Sequence, residues 1–320
     1  MNILHDTPLK ATVSICTYNG AARIGNVLES LVPQTLPPDQ WEVLVVDNAC
    51  TDNTVDVCKE WRDKLPVSLR IVREKWPGLS YARGCAGRNA WGEIVCFLDD
   101  DNLPAPEFVD RAVTAFQNHP RAGAIGGKVL PIWQSPPNPL AEAVQDFALA
   151  ICDRGDEAFV YNTNVGPVGA GICIRTQILH DIYNDPDFAQ TVPGRTQKGY
   201  GGGEDLAIAI LVWRLGWECW YEPSLIINHL LPEYRMEMSY LVPLYEGVGC
   251  GQAKVRRLYD WKARNPFLNR LIGLKDLLRY MHGCLWSVGL KRKKNDELSQ
   301  QLHILSQHQL WGRAWQAIKP

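Results

Sequence analysis

The chain of 320 residues predicts an α/β protein: a mostly parallel open sheet flanked by helices, with a helical C-terminal extension. Three observations carry this. Short runs rich in apolar and β-branched residues stand at Thr12–Cys16, Glu42–Val46 and Ile94–Leu98, as in strands covered on both faces. Segments with apolar residues every three or four positions separate them. From Ser239 onward the pattern is helical to the end.

The elements follow in order. After the first strand, Ala21–Leu31 has helical spacing at Ile24, Val27, Leu28 and Leu31. Glu42–Val46 ends at Asp47, and Thr51–Trp61 reads as a helix with Thr51 or Asp52 as N-cap. Leu69–Val72 is a third strand, Tyr81–Trp91 a helix and Ile94–Leu98 a fourth strand. Phe108–Phe116 reads as helical and Ala124–Val129 as extended, and Gly169–Ile174 continues the sheet. Pro131–Pro167 is a connection with one helix, Leu140–Ile151. Tyr183–Gly203 is loop-rich, with seven Gly or Pro. Leu206–Leu215 is a helix; Glu218–Tyr221 and Leu225–Asn228 are short strands.

Composition narrows the function. With 46% hydrophobic and 21% charged residues the chain is globular, and disorder and coiled coil are excluded. The longest apolar run, Leu206–Trp213, is too short to span a bilayer. Met1–Lys10 carries Asp6 and no apolar stretch, so no signal peptide is expected. The ten cysteines form no CxxC pair and several lie in strand-like runs, which points to reduced thiols in the cytoplasm and away from zinc. The net charge of -2 hides an asymmetry: Lys254–Lys294 holds 12 Lys/Arg against two acids. That segment carries +10, and the remainder, with 21 basic and 33 acidic residues, carries -12. So local a charge suits a membrane surface or a polyanion and not a general nucleic-acid binder, with a solvated basic face as the bland alternative.

In an open parallel sheet the ligand crevice lies outside the C-terminal strand ends. Cys16-Thr17-Tyr18-Asn19-Gly20, Asp47-Asn48 and Asp99-Asp100-Asp101-Asn102 all fall there. No G-x-G-x-x-G and no G-x-x-x-x-G-K-[ST] is present, so the dinucleotide and P-loop readings fall away. Gly247-x-Gly249-x-Gly251 follows no clear strand. Three consecutive carboxylates at a buried strand end repel one another unless a cation neutralises them. Oxygen donors completed by ligand phosphates suit Mg²⁺ or Mn²⁺ holding a nucleoside diphosphate; the bland alternative is an acidic loop capping a helix. Gly201-Gly202-Gly203 allows close backbone approach, and Glu204-Asp205 then opens a helix, where a carboxylate stays ionised and can accept a proton. His229 ends a strand and is either structural or a metal ligand.

The order SICTYNG, VVDN, GLSYARG, FLDDDN, GGGED and a strand ending in His, over roughly residues 10–235, resembles the family 2 glycosyltransferases of the GT-A fold. Bacterial, especially cyanobacterial, exopolysaccharide transferases of the hormogonium-polysaccharide type are the nearest likeness. The resemblance implies a catalytic domain over 1–238, with a nucleotide-sugar half at about 10–130 and an acceptor half at about 131–238, and a helical, basic extension over 239–320. It implies that Tyr18, beside Thr17 and Asn19, stacks on the donor base and that Asp47 or Asn48 bonds the base edge. Arg83 would contact the nucleotide or diphosphate, although Gly84 follows where the family usually has Asn. Asp99 and Asp100 would hold ribose and sugar, Asp101 and His229 the metal. Asp205 would be the catalytic base, with Glu204, Gly202 and Gly203 around the acceptor. The implied reaction is inverting transfer from a nucleoside-diphosphate sugar, a UDP-sugar favoured, to a glycan or lipid-linked acceptor. A nucleotidyltransferase or a non-catalytic carbohydrate-binding subunit are the alternatives.

In the extension, Phe267, Leu271, Leu274, Leu278, Met281 and Leu285 recur at helical spacing among Arg264, Arg270, Lys275 and Arg279, with Lys291–Lys294 beyond and Trp261 and Trp286 near the ends. Two readings stand: an interfacial helix on the inner face of the plasma membrane, or a helix packing its apolar stripe on the catalytic domain.

Overall fold

A computed structural model describes residues 9–162, 165–184, 188, 192, 194, 201–260, 264–290 and 297–318. Four parallel strands form one half of a single sheet: β1 (Leu9–Thr17), β2 (Trp41–Asp47), β3 (Leu69–Arg73) and β4 (Gly92–Leu98), in the order β3-β2-β1-β4. The helices α1 (Ile24–Ser30), α2 (Thr54–Glu60) and α3 (Leu79–Asn89) connect them. Val13, Ile15, Val43, Leu44 and Val46 are wholly buried, as a sheet covered on both faces requires.

Helix α2 begins later than the expected cap. Asn19 Oδ1 accepts the Thr51 amide at 2.8 Å, so that amide is held to the neighbouring turn. Asn53 takes the cap position, and Asp52 Oδ1 accepts the Thr54 amide at 3.1 Å.

Beyond β4 the sheet is mixed, so the parallel expectation holds for its first half. The strands here are β5 (Asn102–Pro104), β6 (Ala122–Trp133), β7 (Phe159–Val160), β8 (Cys173–Arg175) and β9 (Glu218–Leu231). β8 is antiparallel to β4 and β6, β9 is parallel to β6, and β5 and β7 are antiparallel to β9. The two short strands expected at 218–228 are one strand of 14 residues. Its irregular Glu222–Leu225 stretch is absorbed by β6, where a Cβ on Gly127 would lie 2.1 Å from the Leu225 carbonyl oxygen. Helices α4 (Phe108–Asn118), α5 (Pro139–Ala148), α6 (Thr176–Tyr183) and α7 (Glu204–Arg214) complete this part.

Three long helices follow: α8 (Met238–Tyr259), α9 (Pro266–Leu290) and α10 (Glu297–Ile318). α8 reaches the main core through Val255. A second core joins Leu140 and Val144 of α5 to Leu241 and Leu244 of α8 and Leu305 of α10. Among the described residues no helix is long and apolar enough to cross a membrane.

The Gly247-x-Gly249-x-Gly251 pattern belongs to helix packing. A Cβ on Gly249 would lie 2.0 Å from the Gln309 carbonyl oxygen of α10, and one on Gly251 would lie 1.8 Å from that of Gly202. Bare glycine lets the backbones approach this closely.

Candidate active site

Strand register brings the acids together. Thr17 pairs with Asp47 across β1 and β2, and Ile15 with Leu98 across β1 and β4, so the three strand-end clusters share one edge. They open on a cleft of about 540 Å³. Its wall includes Thr17, Tyr18, Asn48, Arg83, Asp99, Asp100, Asp101, Glu204, Asp205 and His229.

Asp100 is fixed from two sides. Thr17 Oγ1 donates to its Oδ2 at 2.8 Å, and Arg23 Nε and Nη2 donate to Oδ1 and Oδ2 at 2.9 Å each. Such a bidentate fork fixes the carboxylate plane. A Cβ on Gly20 would lie 2.2 Å from Thr17 Oγ1 and 2.4 Å from Asp100 Oδ2, so this contact needs the glycine. Arg23 was not among the expected site residues. Its contact runs 77 positions along the chain, and no local pattern marks it.

Asp101 meets His229 because β5 pairs with β9 in a register that sets Asn102 opposite His229. His229 Nε2 lies 3.5 Å from Asp101 Oδ1. Arg235, on the turn Glu233–Met236 that follows β9, joins them: Nη2 donates to Asp101 Oδ2 at 2.5 Å and Nη1 to His229 Nε2 at 2.9 Å. A guanidinium only donates, so His229 accepts at Nε2 and carries its proton on Nδ1, which has no hydrogen-bond partner. All three residues are buried. Burial pushes the Asp101 pKa up, but the Arg235 guanidinium in contact with it outweighs burial and holds it below the ordinary carboxylate range. Arg235 is the main residue that sequence reasoning missed.

Arg83 lies at the floor of the cleft, 1% exposed, with Nη2 donating to the Gly169 carbonyl at 3.2 Å. Burial lowers its pKa, but the charges of Glu204 and Asp99 outweigh that and raise it. Glu204 and Asp205 open α7 behind Gly203, whose φ of 91° puts it in the left-handed region. Glu204 is buried on the Arg83 side, whereas Asp205 is half-buried on the cleft wall. Gly202 backs onto Val248 of α8 and is absent from the wall.

Two other expected donor residues also lie off the wall. Asn19 is tied to Thr51, and Asp47 Oδ1 accepts the Cys50 amide at 2.7 Å. Asn48 does line the cleft, and its amide bridges the Trp76 carbonyl and the Gly78 amide. Tyr18 is 37% exposed at the mouth. Burial raises the Cys16 thiol to about 12, so it is no thiolate nucleophile at neutral pH.

Asp101 and His229 suit a divalent cation chemically. A carboxylate and an imidazole lone pair point to one spot, and a bound diphosphate would complete the shell. Among the described residues no group of three His, Cys, Asp or Glu could hold an ion without such help.

A parallel half-sheet that gathers acids at its strand ends is joined to a mixed half beside a helix-borne acid pair, and both face one cleft. The family model of Glycosyl transferase family 2 matches residues 12–182. The chain belongs to that family and is a glycosyltransferase of the GT-A fold. It is 25% identical over 237 residues to the glucosyl-dolichyl phosphate glucuronosyltransferase of Haloferax volcanii, a match covering 73% of each chain. It is 32% identical over 111 residues to the poly(ribitol-phosphate) β-N-acetylglucosaminyltransferase TarS of Staphylococcus aureus, covering 35% of this chain but only 19% of TarS. A solved TarS fragment in complex with UDP superposes with a TM-score of 0.55 at 15% identity, covering 95% of this chain and 90% of the fragment. The mannosyltransferase PcManGT of Pyrobaculum calidifontis, solved with GDP-Man and Mn²⁺, gives 0.57 at 19% identity, covering 94% of this chain and 86% of that one.

Proposed function

We propose that the protein moves a sugar, with inversion, from a nucleoside-diphosphate sugar to a hydroxyl of a glycan or lipid-linked acceptor in bacterial exopolysaccharide biosynthesis. The observation that carries this is the shared cleft: Asp205 faces the same space as Asp99, Asp100 and Asp101. Asp205, on the cleft wall, takes the proton of the acceptor hydroxyl as that oxygen attacks the anomeric carbon. It stands in the first turn of α7, at the positive end of the helix dipole. Asp100, held rigid by Thr17 and Arg23, is set to accept hydrogen bonds from donor hydroxyls. Tyr18 offers its ring at the mouth for the base. Mn²⁺ or Mg²⁺ at Asp101 and His229 would neutralise charge on the departing diphosphate.

UDP is the favoured nucleotide, in keeping with the complex of the TarS fragment, whereas PcManGT was solved with GDP-Man. A lipid-linked acceptor accords with the dolichyl phosphate in the name of the Haloferax relative. The protein then works in the cytoplasm, attached peripherally to an anionic membrane through α9. Support for this is the outward face of α9, where Phe267 and Leu278 are 68% and 65% exposed.

Thermal unfolding with nucleoside diphosphates tests the donor reading. UDP should raise the melting temperature by mass action with Mn²⁺ present and not in EDTA, and Asp101→Ala should abolish the shift. Equal stabilisation by UDP in EDTA would refute the metal's part in donor binding.

A further inference from the structure

Arg235 closes the site from the side of the C-terminal helices. It stands on the short turn between the end of β9 and the start of α8, and its Cζ lies 5.9 Å from the Tyr240 ring centroid. Its guanidinium spans Asp101 and His229, the two residues with metal-ligand chemistry, and takes an oxygen of one and the Nε2 of the other. His229 Nε2 has a single lone pair. A metal and the Arg235 Nη1 therefore cannot both occupy it.

We propose that Arg235 is a resident cation that a divalent metal must displace, so that metal and diphosphate load together. This rests on the reading of Asp101 and His229 as the metal pair. With no ligand bound, the guanidinium neutralises the buried Asp101 carboxylate and satisfies the Nε2 of His229. A metal arriving alone gains only two protein ligands and leaves a buried guanidinium without its carboxylate, which is costly. A nucleoside diphosphate changes both sides of the exchange. Its oxygens add ligands to the metal, and its negative charge gives the released guanidinium a new partner in the cleft that Arg235 already lines. Binding of metal and nucleotide is then mutually favourable, each raising the affinity of the other by the same factor.

The test is Mn²⁺ binding by the full chain without nucleotide, followed by the electron paramagnetic resonance signal of free Mn²⁺. Arg235→Met should bind Mn²⁺ at least about tenfold more tightly than the unmodified protein. Its melting temperature should fall in EDTA and recover with Mn²⁺, while that of the unmodified protein, free of nucleotide, responds to neither. Arg235→Lys keeps a charge but loses the fork. It should gain affinity by a smaller factor, and it answers the question if the Met variant does not fold. Asp101→Ala should remove Mn²⁺ binding from both variants. If neither Arg235 variant gains affinity while Asp101→Ala still abolishes Mn²⁺ binding with UDP present, the exchange is wrong and the metal pair stands. If no variant binds Mn²⁺ even with UDP, the metal pair is wrong and the exchange falls with it.

Discussion

The strand-end cleft and the C-terminal helix α9 invert the usual arrangement of side chains in opposite ways. In the cleft, acids are held inside and three of them meet opposite charge: Asp100 with Arg23, Asp101 with Arg235, Glu204 near Arg83. On α9, the apolar residues are outside: Leu271, Leu274 and Met281 are 46%, 46% and 54% exposed along the line of Phe267 and Leu278. Its inward face instead buries Asn269, Gly273 and Asp276, the last between Arg256, Arg279 and Arg313. Buried charge and exposed apolar surface are the two departures that carry information about function. The cleft gathers charge where a charged ligand can reach it, and among the described residues α9 turns its apolar stripe outward.

The sharpest way to break the cleft side of this contrast is at the acid pair. Asp205→Asn keeps size and removes the basic lone pairs, so turnover should fall by roughly 10² to 10⁴. Donor affinity should barely change, as measured by UDP thermal shift, because Asp100 and Asp101 remain. Glu204→Gln should behave differently. It takes charge from beside a fully buried guanidinium, so its main effect is on stability, about 3 kcal/mol by denaturant unfolding. If Glu204→Gln loses turnover at unchanged stability while Asp205→Asn stays active, the roles are reversed.

The packing of α8 against the start of α7 gives a smaller effect. Gly251→Ala would drive a methyl into the Gly202 carbonyl, a backbone atom just ahead of α7. Overpacking costs about 1–3 kcal/mol, and here it also shifts the helix start that carries Asp205. Gly312→Ala makes a similar clash, 2.1 Å from the Glu246 carbonyl, away from the cleft. Both should unfold at lower denaturant concentration, but only Gly251→Ala should lose turnover in the folded protein. Equal turnover would show that α8 does not position the acid pair.

Much of the cleft is legible in the sequence because its chemistry sits on consecutive residues at strand ends. Asp99–Asp101 can be placed on one edge with Thr17 and Asp47 from the order of strands alone, and Glu204–Asp205 at the start of a helix. Arg23 and Arg235 are not legible, since each becomes a site residue only through a contact 77 or 134 positions away. The strands β5, β7 and β8 have two or three residues each and show no period, so the mixed half-sheet and the meeting of Asp101 with His229 needed the structure. Asn19 and Asp47 look like ligand contacts by position, yet their side chains hold neighbouring turns. For α9 the periodicity reveals a stripe but not its direction, because both membrane and core bind the same pattern. The described part of the stripe, through Met281, faces outward. Trp261 and Lys291–Lys294 lie outside the described residues, as do the side chains of Leu285 and Trp286.

That direction sets the last and smallest effect on stability. A groove of about 670 Å³ runs beside the stripe, lined by Lys275, Leu278, Arg279 and His282 of α9 and by His303, Gln307 and Leu310 of α10. Arg264, Arg270 and Lys275 are exposed around the stripe, while Asp276, the sole acid of the helix, is buried. An apolar strip edged by bases fits an anionic bilayer, where the side chains enter the interface and the bases meet headgroups. Leu274→Glu with Leu278→Glu should change stability by less than about 0.5 kcal/mol per site, because neither side chain is buried within the protein. The same pair should abolish co-sedimentation with phosphatidylserine vesicles, while turnover on a soluble acceptor stays unchanged. Binding of the unmodified protein should weaken steeply as salt is raised, because the headgroup attraction is screened within about 10 Å at 0.1 M. If the double variant is instead destabilised by several kcal/mol, or still sediments with the vesicles, α9 does not meet the membrane through this face.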